Sequence, residues 1–570
     1  MLYQPVRPHL PQRPPIWRGM PASMEDTAIS LHIRASIAWT DLLPPFHLLR
    51  HIATDDVLGR EIFGYAPSDQ ARQLQEVRQR YRTRRDDLVA VLRRLHARLG
   101  ASAATLHNLD RLSQPHTFVV IGGQQPGLLT GPLYTLYKAI SIIRLAEELG
   151  RQFPYDFVPL FWSATDDHDW AEVDHVYLFD GNHQLHRVEY PRDPRYEGWS
   201  VGDVPLDHGA LHVIERLAEV LHGQGFVEDV TALLLETAEV SPTFGEWFCR
   251  LMLILFHRHG LIVVDPRLPE LKQLAIPLFE QALEDPLLPT QLANETGDEL
   301  EARGFRRQLH KDAVLCGFFL QEDGRREAVR YGRGGFRVGA RTYTKAELKA
   351  ILYDSPERFS PNALLRPVMS EYLFPTAAFV GGAGELSYFA QTRRIYQHFD
   401  VSGPVPYLRL GAAMVDAPIA RILDKYQLAP LSLRDPDQAL AEWIRARADI
   451  ASPALWQRLR EEVYRPFVGL KEAVRAIDPT LETSLEGTLN YMLFRIGKFE
   501  KKLIRHLKKA EHITARHMRR AAQVLYPGQG LQERTLNGMS WLSRYGMELV
   551  DELVEAVPAS HGKHFIVELS

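Results

Sequence analysis

The feature that most constrains this chain is a series of short apolar runs, each separated from the next by helical sequence. Five such runs stand at residues 117–121, 157–162, 261–265, 376–380 and 405–410. Short runs that are apolar throughout are typical of parallel strands buried on both faces, because crossover helices cover such a sheet on each side. The pattern therefore predicts an α/β fold built on a doubly wound parallel sheet.

Two regions depart from this alternation. From about 304 to 350 the sequence has short strands and many basic residues, with Asp323-Gly324 as a hairpin turn, and we interpret it as a small inserted β element. After about residue 416 two long helices follow, and their apolar residues recur at spacings of four and three. This predicts an antiparallel coiled coil, which can join two chains or be purely intramolecular. Its seam is Val463, Phe467, Leu470, Val474 and Ile477, then Leu489, Met492, Ile496, Phe499, Leu503, Ala510 and Ile513.

Helix boundaries can also be predicted from local signals. The arginine-rich stretch 68–99 carries an apolar stripe and is predicted as one helix that ends at Gly100. Ser452-Pro453 predicts the start of the first coiled-coil helix, and Thr483 with Glu486 has the spacing of a capping box for the second.

Composition excludes several classes of protein. The 570 residues include 67 Lys+Arg against 71 Asp+Glu, a formal charge of −4, and 45% are hydrophobic, as in a globular protein rather than a disordered or collagen-like one. We expect neither nucleic acid nor a membrane as partner, and we interpret the basic residues at 498–520 as solvated helix faces. Two cysteines without CxxC spacing, and an apolar run no longer than 251–256, favour a cytoplasmic protein with no disulfide framework.

A glycine-rich loop, residues 122–132, joins the first apolar run to a helix. Such a loop presents backbone N–H groups and the positive end of a helix dipole, which favour anions. Its spacing is neither GxGxxG nor Walker A, because Leu128-Leu129 stand where Walker A needs lysine and a hydroxyl residue. A tight packing turn is the alternative to phosphate or carboxylate binding. The candidate residues are Gly123, Gln124, Gln125, Gly127, Thr130 and Gly131.

An acidic cluster, Asp166-Asp167-His168-Asp169, follows the second apolar run. It could bind a divalent metal through oxygen and nitrogen, or pair a histidine with a carboxylate for proton transfer. The alternative is that the aspartates cap the N-terminus of a helix, but capping leaves His168 unexplained.

A second glycine loop follows the fourth run, with Gly381, Gly382 and Gly384 before Glu385. These glycines allow a ligand close to the backbone, and Glu385 could accept a hydrogen bond from a hydroxyl or an amine. A packing turn explains this loop equally well when it is taken alone.

The order of these loops resembles the cysteine-adding enzymes of bacillithiol biosynthesis, the BshC cysteine ligase family. The resemblance runs from about residue 31 to the end of the chain. The proline-rich leader, residues 1–30, looks foreign to the family, and Asp166 stands where we expect glutamate. The stretches that carry the resemblance are Gly123-Gln124-Gln125 with Thr130-Gly131-Pro132-Leu133-Tyr134, Phe161-Trp162 with Asp167-His168-Asp169, Phe379-Val380-Gly381-Gly382 with Gly384-Glu385, and Leu531-Gln532-Glu533-Arg534.

The resemblance implies a Rossmann-like core over 31–415, a coiled-coil domain over 416–570 and a homodimer. It also implies that cysteine is joined to the amino group of glucosaminyl-malate to give bacillithiol. His168 with Asp167 or Asp169 would then hold and deprotonate the amine. ATP with Mg²⁺ would activate the acid, although the sequence has neither a HIGH nor a KMSKS motif to mark a nucleotide site.

Two other functions fit the same residues. A metal-dependent hydrolase or sugar-modifying enzyme would use Asp166, Asp167, His168 and Asp169 as ligands, whereas the ligase hypothesis needs no resident metal. A non-catalytic coiled-coil scaffold would keep the nucleotide-binding domain only to bind a partner.

Overall fold

The computed structural model describes residues 29–44, 47–52, 55–447, 452–558 and 562–570, so nearly all of the proline-rich leader lies outside the described residues. The chain divides into two compact units, residues 1–412 with 533–567, and residues 413–532 with 568–570. The segment 533–567 is therefore part of the first unit, whereas the sequence-based division placed it in the helical domain.

The strands of the described residues are as follows: β1 (Leu31–Ala38), β2 (Thr117–Gln124), β3 (Asp156–Ser163), β4 (His175–Phe179), β5 (Leu185–Glu189), β6 (Ile262–Val264), β7 (Leu315–Glu322), β8 (Arg325–Gly332), β9 (Gly335–Val338), β10 (Arg341–Tyr343), β11 (Phe359–Pro361), β12 (Thr376–Gly381), β13 (Val405–Leu408), β14 (Gly411–Asp416) and β15 (Lys563–Leu569).

The helices up to the coiled coil are α1 (Trp39–Leu42), α2 (Leu48–Ile52), α3 (Asp56–Phe63), α4 (Gln70–Arg80), α5 (Arg85–Leu99), α6 (Ala103–Leu112), α7 (Tyr134–Gln152), α8 (His208–Val220), α9 (Val227–Glu239), α10 (Phe244–Leu255), α11 (Pro269–Leu274), α12 (Ile276–Glu284), α13 (Leu288–Ala302), α14 (Lys345–Asp354), α15 (Leu365–Leu373), α16 (Ala383–Phe389), α17 (Arg393–His398), α18 (Ala417–Tyr426) and α19 (Pro436–Arg447). Then follow α20 (Pro453–Ile477), α21 (Leu481–Ala510), α22 (His512–Leu525), α23 (Gln532–Thr535), α24 (Met539–Tyr545) and α25 (Leu549–Ala556).

A five-stranded sheet forms the centre of the first unit, in the order β13-β12-β2-β3-β6. Every neighbouring pair in it is parallel. Phe118, Val119, Val120 and Ile121 of β2 are buried, as expected for a strand covered on both faces. The predicted α/β doubly wound fold is therefore confirmed.

The strand order contains a reversal that matters for ligand binding. From β2 the chain continues outward through β3 and β6, then returns to add β12 and β13 on the other side of β2. Open α/β sheets bind ligands beyond the carboxyl ends of the strands at such a reversal. The loops after β2 and β12 flank this position.

An antiparallel sheet, in the order β10-β9-β8-β7-β11, is inserted before β12. Asp323 and Gly324, with φ values of 49° and 81°, form the turn between β7 and β8, as the sequence predicts. The strands extend to Pro361, somewhat beyond the predicted span of 304–350.

The prediction of one helix over 68–99 is wrong, because α4 ends at Arg80 and α5 begins at Arg85. The break is held by tertiary hydrogen bonds. The Tyr81 hydroxyl donates to the carbonyl of Leu373 at 3.0 Å, and the Thr83 hydroxyl donates to that of Tyr372 at 2.7 Å.

In the second unit, α20 and α21 run antiparallel. Lys471 Nζ on α20 lies 2.8 Å from Glu486 Oε1 on α21. Ser452 and Pro453 begin α20 as predicted, but Thr483 lies inside α21, which starts at Leu481 after a turn in which Asp478 accepts hydrogen bonds from Thr480. In the described parts of the chain, no helix combines the length and apolar character needed to cross a membrane.

Candidate functional site

A cavity of about 490 Å³ opens at the carboxyl edge of the central sheet, within the first unit. The loops after β2, β3 and β12 contribute to its walls, together with the inserted sheet and the segment after α22. Its lining residues are Gly123, Gln124, Gln125, Tyr134, Lys138, Trp162, Ala164, Asp166, Asp167, His168, Leu309, Lys311, Phe319, Arg326, Pro361, Asn362, Ala363, Arg366, Gly382, Gly384, Glu385, Tyr388, Arg409 and Arg534.

The first part of the glycine loop after β2 lines this cavity. Gly123 has no room for a side chain, because a Cβ there would lie 2.2 Å from the carbonyl oxygen of Trp162. Gln125 Nε2 donates to Asp167 Oδ2 at 2.8 Å and to Glu172 Oε2 at 2.7 Å. The amide of Gln125 therefore ties the loop after β2 to the loop after β3.

The second part of the same loop is structural and lies outside the cavity lining. Thr130 is buried, with a φ of 74°, and a Cβ on Gly127 would lie 2.7 Å from the Cα of Gly131. Asn537 Nδ2 donates to the carbonyls of Leu129 and Gly131 at 2.8 and 2.5 Å. The packing-turn alternative thus describes Gly127, Thr130 and Gly131.

In the loop after β3, Asp167 and His168 line the cavity and approach Arg326 of β8. Arg326 Nη1 lies 3.7 Å from Asp167 Oδ1 and 3.2 Å from His168 Nδ1. Burial acts to raise the pKa of Asp167, but Arg326, the amide of Gln125 and the backbone N–H of His168 outweigh burial and lower it. Asp167 is therefore a carboxylate held by fixed donors.

Asp169 differs from its neighbours, because its side chain is exposed and does not line the cavity. The next residue, Trp170, is buried against Tyr190 and Phe244, with ring centroids 5.8 and 5.0 Å away. Burial of Trp170 fixes the direction of the chain here and leaves Asp169 on the solvent side. The structure therefore does not bring Asp169 together with the other predicted site residues.

Asp166 forms the floor of the cavity beside a buried lysine. Lys272 of α11 is 1% exposed, and its Nζ lies 3.9 Å from Asp166 Oδ2. Burial lowers the pKa of Lys272 to about 8, while the Asp166 carboxylate acts in the opposite direction. Asp166 thus supplies negative charge to the floor, although the sequence offers no indication of its lysine partner.

At the loop after β12, Gly382, Gly384 and Glu385 line the cavity, whereas Gly381 packs behind it against Phe379 and Leu386. Glu385 Oε2 accepts from the backbone N–H of Gly382 at 2.9 Å. Burial acts to raise the pKa of Glu385, but Lys138 and this N–H lower it overall.

Sequence reasoning missed the cationic side chains of the cavity. Lys138 Nζ donates to the carbonyl of Gly123 and to Glu385, both at 2.5 Å. The sequence could have indicated Lys138, because it is a lysine within the apolar face of α7. Arg409 directly follows β13. Residues beyond the carboxyl ends of parallel strands are expected to bind ligands, and this expectation applied to Arg409 as well.

Glu533 lies beneath the cavity wall and holds Arg409. Glu533 Oε1 accepts from Arg409 Nη2 at 2.6 Å, and its Oε2 accepts from the backbone N–H of Ala412 at 2.8 Å. Arg409 and Glu533 are both buried. Arg534, the residue after Glu533, lines the cavity itself, so a segment remote in sequence completes the site.

The described residues contain no group of three or more histidine, cysteine, aspartate or glutamate side chains placed to hold a metal ion. In the acidic cluster, Asp166 faces Lys272, Asp167 faces Arg326, and Asp169 is exposed.

Comparisons with known proteins cover nearly the whole chain. Residues 47–410 match the family model described as the bacillithiol biosynthesis BshC N-terminal Rossmann-like domain, and residues 412–569 match the BshC C-terminal coiled-coil domain. A Koribacter versatilis protein named "Putative cysteine ligase BshC" is 32% identical over 83% of this chain and 88% of its own length. Proteins of the same name from Salinibacter ruber and Desulforamulus reducens are 32% and 29% identical, over 85% and 89% of this chain and 88% and 95% of their own lengths.

Proposed function

Because the chain belongs to the BshC family of bacillithiol biosynthesis, we propose that its cavity joins cysteine to the amino group of glucosaminyl-malate. The observation that carries the proposal is the charge of the cavity. Six lysine and arginine side chains line it, against three carboxylates. Such a surplus favours ligands with several negative charges, such as a malate group, a cysteine carboxylate and a phosphate chain.

The chemistry requires activation of the acid. A carboxylate and an ammonium ion do not condense at neutral pH, so the cysteine carboxyl first takes a leaving group and the ammonium loses a proton. The nitrogen then forms the C–N bond, the C–O bond to the leaving group breaks, and the nitrogen releases a second proton. The enzyme binds both substrates with these atoms adjacent and stabilises the charge that develops on the acyl oxygen.

ATP with Mg²⁺ is the activating reagent in this proposal. The cationic side chains suit a phosphate chain, and Lys311, Arg366 and Arg534 are among those that line the cavity. When bound, ATP would convert the carboxylate to an acyl phosphate or an acyl adenylate. The nucleotide product distinguishes the two, since the first releases ADP and the second AMP.

The residues proposed to act are those that the fold brings to the cavity. His168 and Asp167 contact the reacting groups, Gly123 with Gln124 and Gln125 forms one wall, and Gly382 with Gly384 and Glu385 forms the opposite wall. Asp169 is left out because its side chain faces solvent.

We also propose that the second unit forms a homodimer. Within one chain, α20 and α21 leave large apolar side chains exposed along the predicted seam and beside it, among them Ile477 at 80%, Tyr491 at 60% and Phe494 at 58%. Apolar residues repeated along two exposed helices favour association with an equivalent surface.

The experiment is reconstitution with the purified full chain. The chain is incubated with cysteine, glucosaminyl-malate, ATP and Mg²⁺, and thiol products are identified by mass spectrometry. We expect bacillithiol together with ADP or AMP, and no product without nucleotide. In the source organism, deletion of the gene should remove bacillithiol and accumulate glucosaminyl-malate. An unchanged thiol profile, with no second enzyme to account for it, would contradict the proposal.

A further inference from the structure

The guanidinium of Arg326 is held in one orientation beside His168. Its Nε donates to the Ser360 hydroxyl at 2.9 Å, and its Nη2 donates to the carbonyl of Pro361 at 2.7 Å. Its Cζ lies over the ring of Phe319, 3.9 Å from the centroid, and its side chain is 8% exposed. With these contacts made, Nη1 is presented to His168 Nδ1 at 3.2 Å.

This contact fixes which ring nitrogen carries the proton. A guanidinium has only donors and stays protonated in proteins, so Nδ1 of His168 is the acceptor. Asp167 Oδ1 lies 3.7 Å from Nδ1, beyond hydrogen-bond distance, and does not offer Nδ1 an alternative partner. A neutral imidazole that accepts at Nδ1 carries its proton on Nε2.

The surroundings also favour the neutral ring. Burial and the adjacent Arg326 lower the pKa of His168, while Asp167, Asp169 and Glu327 act in the opposite direction without outweighing them. Among the described residues, none is bonded to Nε2, and the side chain, 40% exposed, lines the cavity. The Nε2–H group is thus the polar group of His168 left for a ligand.

We propose that Arg326 is a positioning residue that holds His168 as a neutral Nε2–H donor, and that His168 binds a substrate oxygen instead of taking a proton from the amine. This inference rests on the proposed function, in which the oxygen is the acyl oxygen of the activated cysteine. That oxygen gains negative charge as the amine adds to the carbon. Nε2–H stabilises this charge through a hydrogen bond, and no bond to His168 forms or breaks.

The first test reads the tautomer without any substrate. The full chain is labelled with ¹⁵N at histidine, and the His168 signals are assigned by their loss in the His168→Gln variant. We expect a proton on Nε2 and none on Nδ1. In Arg326→Met the Nδ1 partner is lost, so the population of the Nδ1–H form should rise. A native His168 with its proton on Nδ1 would overturn the inference, whether or not the variant folds.

The second test separates donor from base in the reconstituted reaction. Glutamine places an amide N–H near the position of Nε2 but cannot act as a base, whereas asparagine places its amide near Nδ1. Loss of one such donor costs about 10²–10³ in kcat, which we expect for His168→Ala. The kcat of His168→Gln should be at least about tenfold higher than that of His168→Ala, whereas the kcat of His168→Asn should not be higher. Equal activity of the Gln and Ala variants would overturn the donor role of His168.

The two proposals can fail separately. If the native chain forms no bacillithiol while the labelled ring shows the Nε2–H form, the ligase assignment fails and the role of Arg326 stands. If bacillithiol forms and the ring shows the Nδ1–H form, the role of Arg326 fails and the ligase assignment stands.

Discussion

Lys138 Nζ lies 2.5 Å from Glu385 Oε2, and through this contact α7 is joined to the first turn of α16, just after β12. The side chain of Lys138 is 1% exposed, and the same ammonium bonds to the carbonyl of Gly123. A single buried cation therefore joins the end of β2 to the first turn of α16, on the two sides of the reversal of the sheet. The ion pair thus links two walls of the cavity.

Replacing Lys138 by methionine should destabilise the protein strongly, because Glu385 keeps its charge in a largely buried place and loses its cationic partner, with the backbone N–H of Gly382 as its remaining donor. Breaking a buried pair typically costs about 3–5 kcal/mol. Urea denaturation measures the loss, and the double variant Lys138→Met/Glu385→Gln should recover part of it. The control is Lys345→Met, which removes an exposed partner of Glu284 and should cost less than about 1 kcal/mol. Equal losses for the two lysine variants would contradict the role given to the buried pair.

Asp167 and Asp169 form a matched pair, two residues apart on one loop. Asp167→Asn should lower kcat by about tenfold or more, because Arg326 and Gln125 lose the charge that orients them and the reacting groups shift. Asp169→Asn should leave kcat unchanged, since its side chain is exposed. Steady-state kinetics of the two variants and the native chain measure both changes in kcat. A large loss in Asp169→Asn would restore that residue to the site.

Glu533→Gln should raise KM more than it lowers kcat. Glu533 does not line the cavity, but its carboxylate holds Arg409, which does. A hydrogen bond to a charged group contributes about 1.5–3 kcal/mol, so substrate binding through Arg409 should weaken by about tenfold or more. The control is Glu555→Gln on the exposed side of α25. An unchanged KM would show that Arg409 does not bind substrate.

Glu371 makes stability depend on pH. Burial raises its pKa to about 8 from the usual 4.5, although Ser370 and Arg366 act in the opposite direction. Below 4.5 the carboxyl is protonated in both states. Between 4.5 and 8 the unfolded chain releases the proton while the folded chain keeps it, so the free energy of unfolding falls as pH rises through this window, by at most about 1.4 kcal/mol per unit.

Glu371→Gln should remove this dependence. Thermal denaturation at pH 5 and pH 8 should show the variant gaining stability over the native chain at the higher pH. Glu236→Gln, an exposed position on α9, serves as the control and should follow the native curve. A parallel pH dependence in Glu371→Gln and the native chain would contradict the raised pKa.

Phe494→Glu should dissociate the proposed dimer. Phe494 is 58% exposed on α21, and a charge there would be buried without a partner in a two-chain contact. Light scattering after size exclusion should give twice 65.1 kDa for the native chain and one copy for the variant. Gln79→Glu adds the same charge at an exposed position of α4, outside the second unit, and should remain dimeric. A monomeric native chain would make the proposal wrong.

The strands were predictable because their signal is local. Buried parallel strands need continuous apolar residues, and the runs at 117–121 and 376–380 have them. The same property identified Gly123, His168 and Gly382, since they lie at or within a few residues of the carboxyl ends of such strands. The break between α4 and α5 could not be predicted, because it depends on bonds from Tyr81 and Thr83 to carbonyls about 290 residues away.

The sequence by itself determined the five apolar strands of the central sheet and their alternation with helices, the antiparallel coiled coil and the loops at the edge of the sheet, since the spacing of neighbouring residues predicts each of them. Only the tertiary structure decided which loop residues face the cavity, excluding Gly127, Thr130 and Asp169. It also supplied Lys138, Arg326 and the pair of Arg409 with Glu533. These contacts join residues far apart in the chain. The sequence alone does not distinguish a charged residue that is buried against a partner from one that is exposed to solvent.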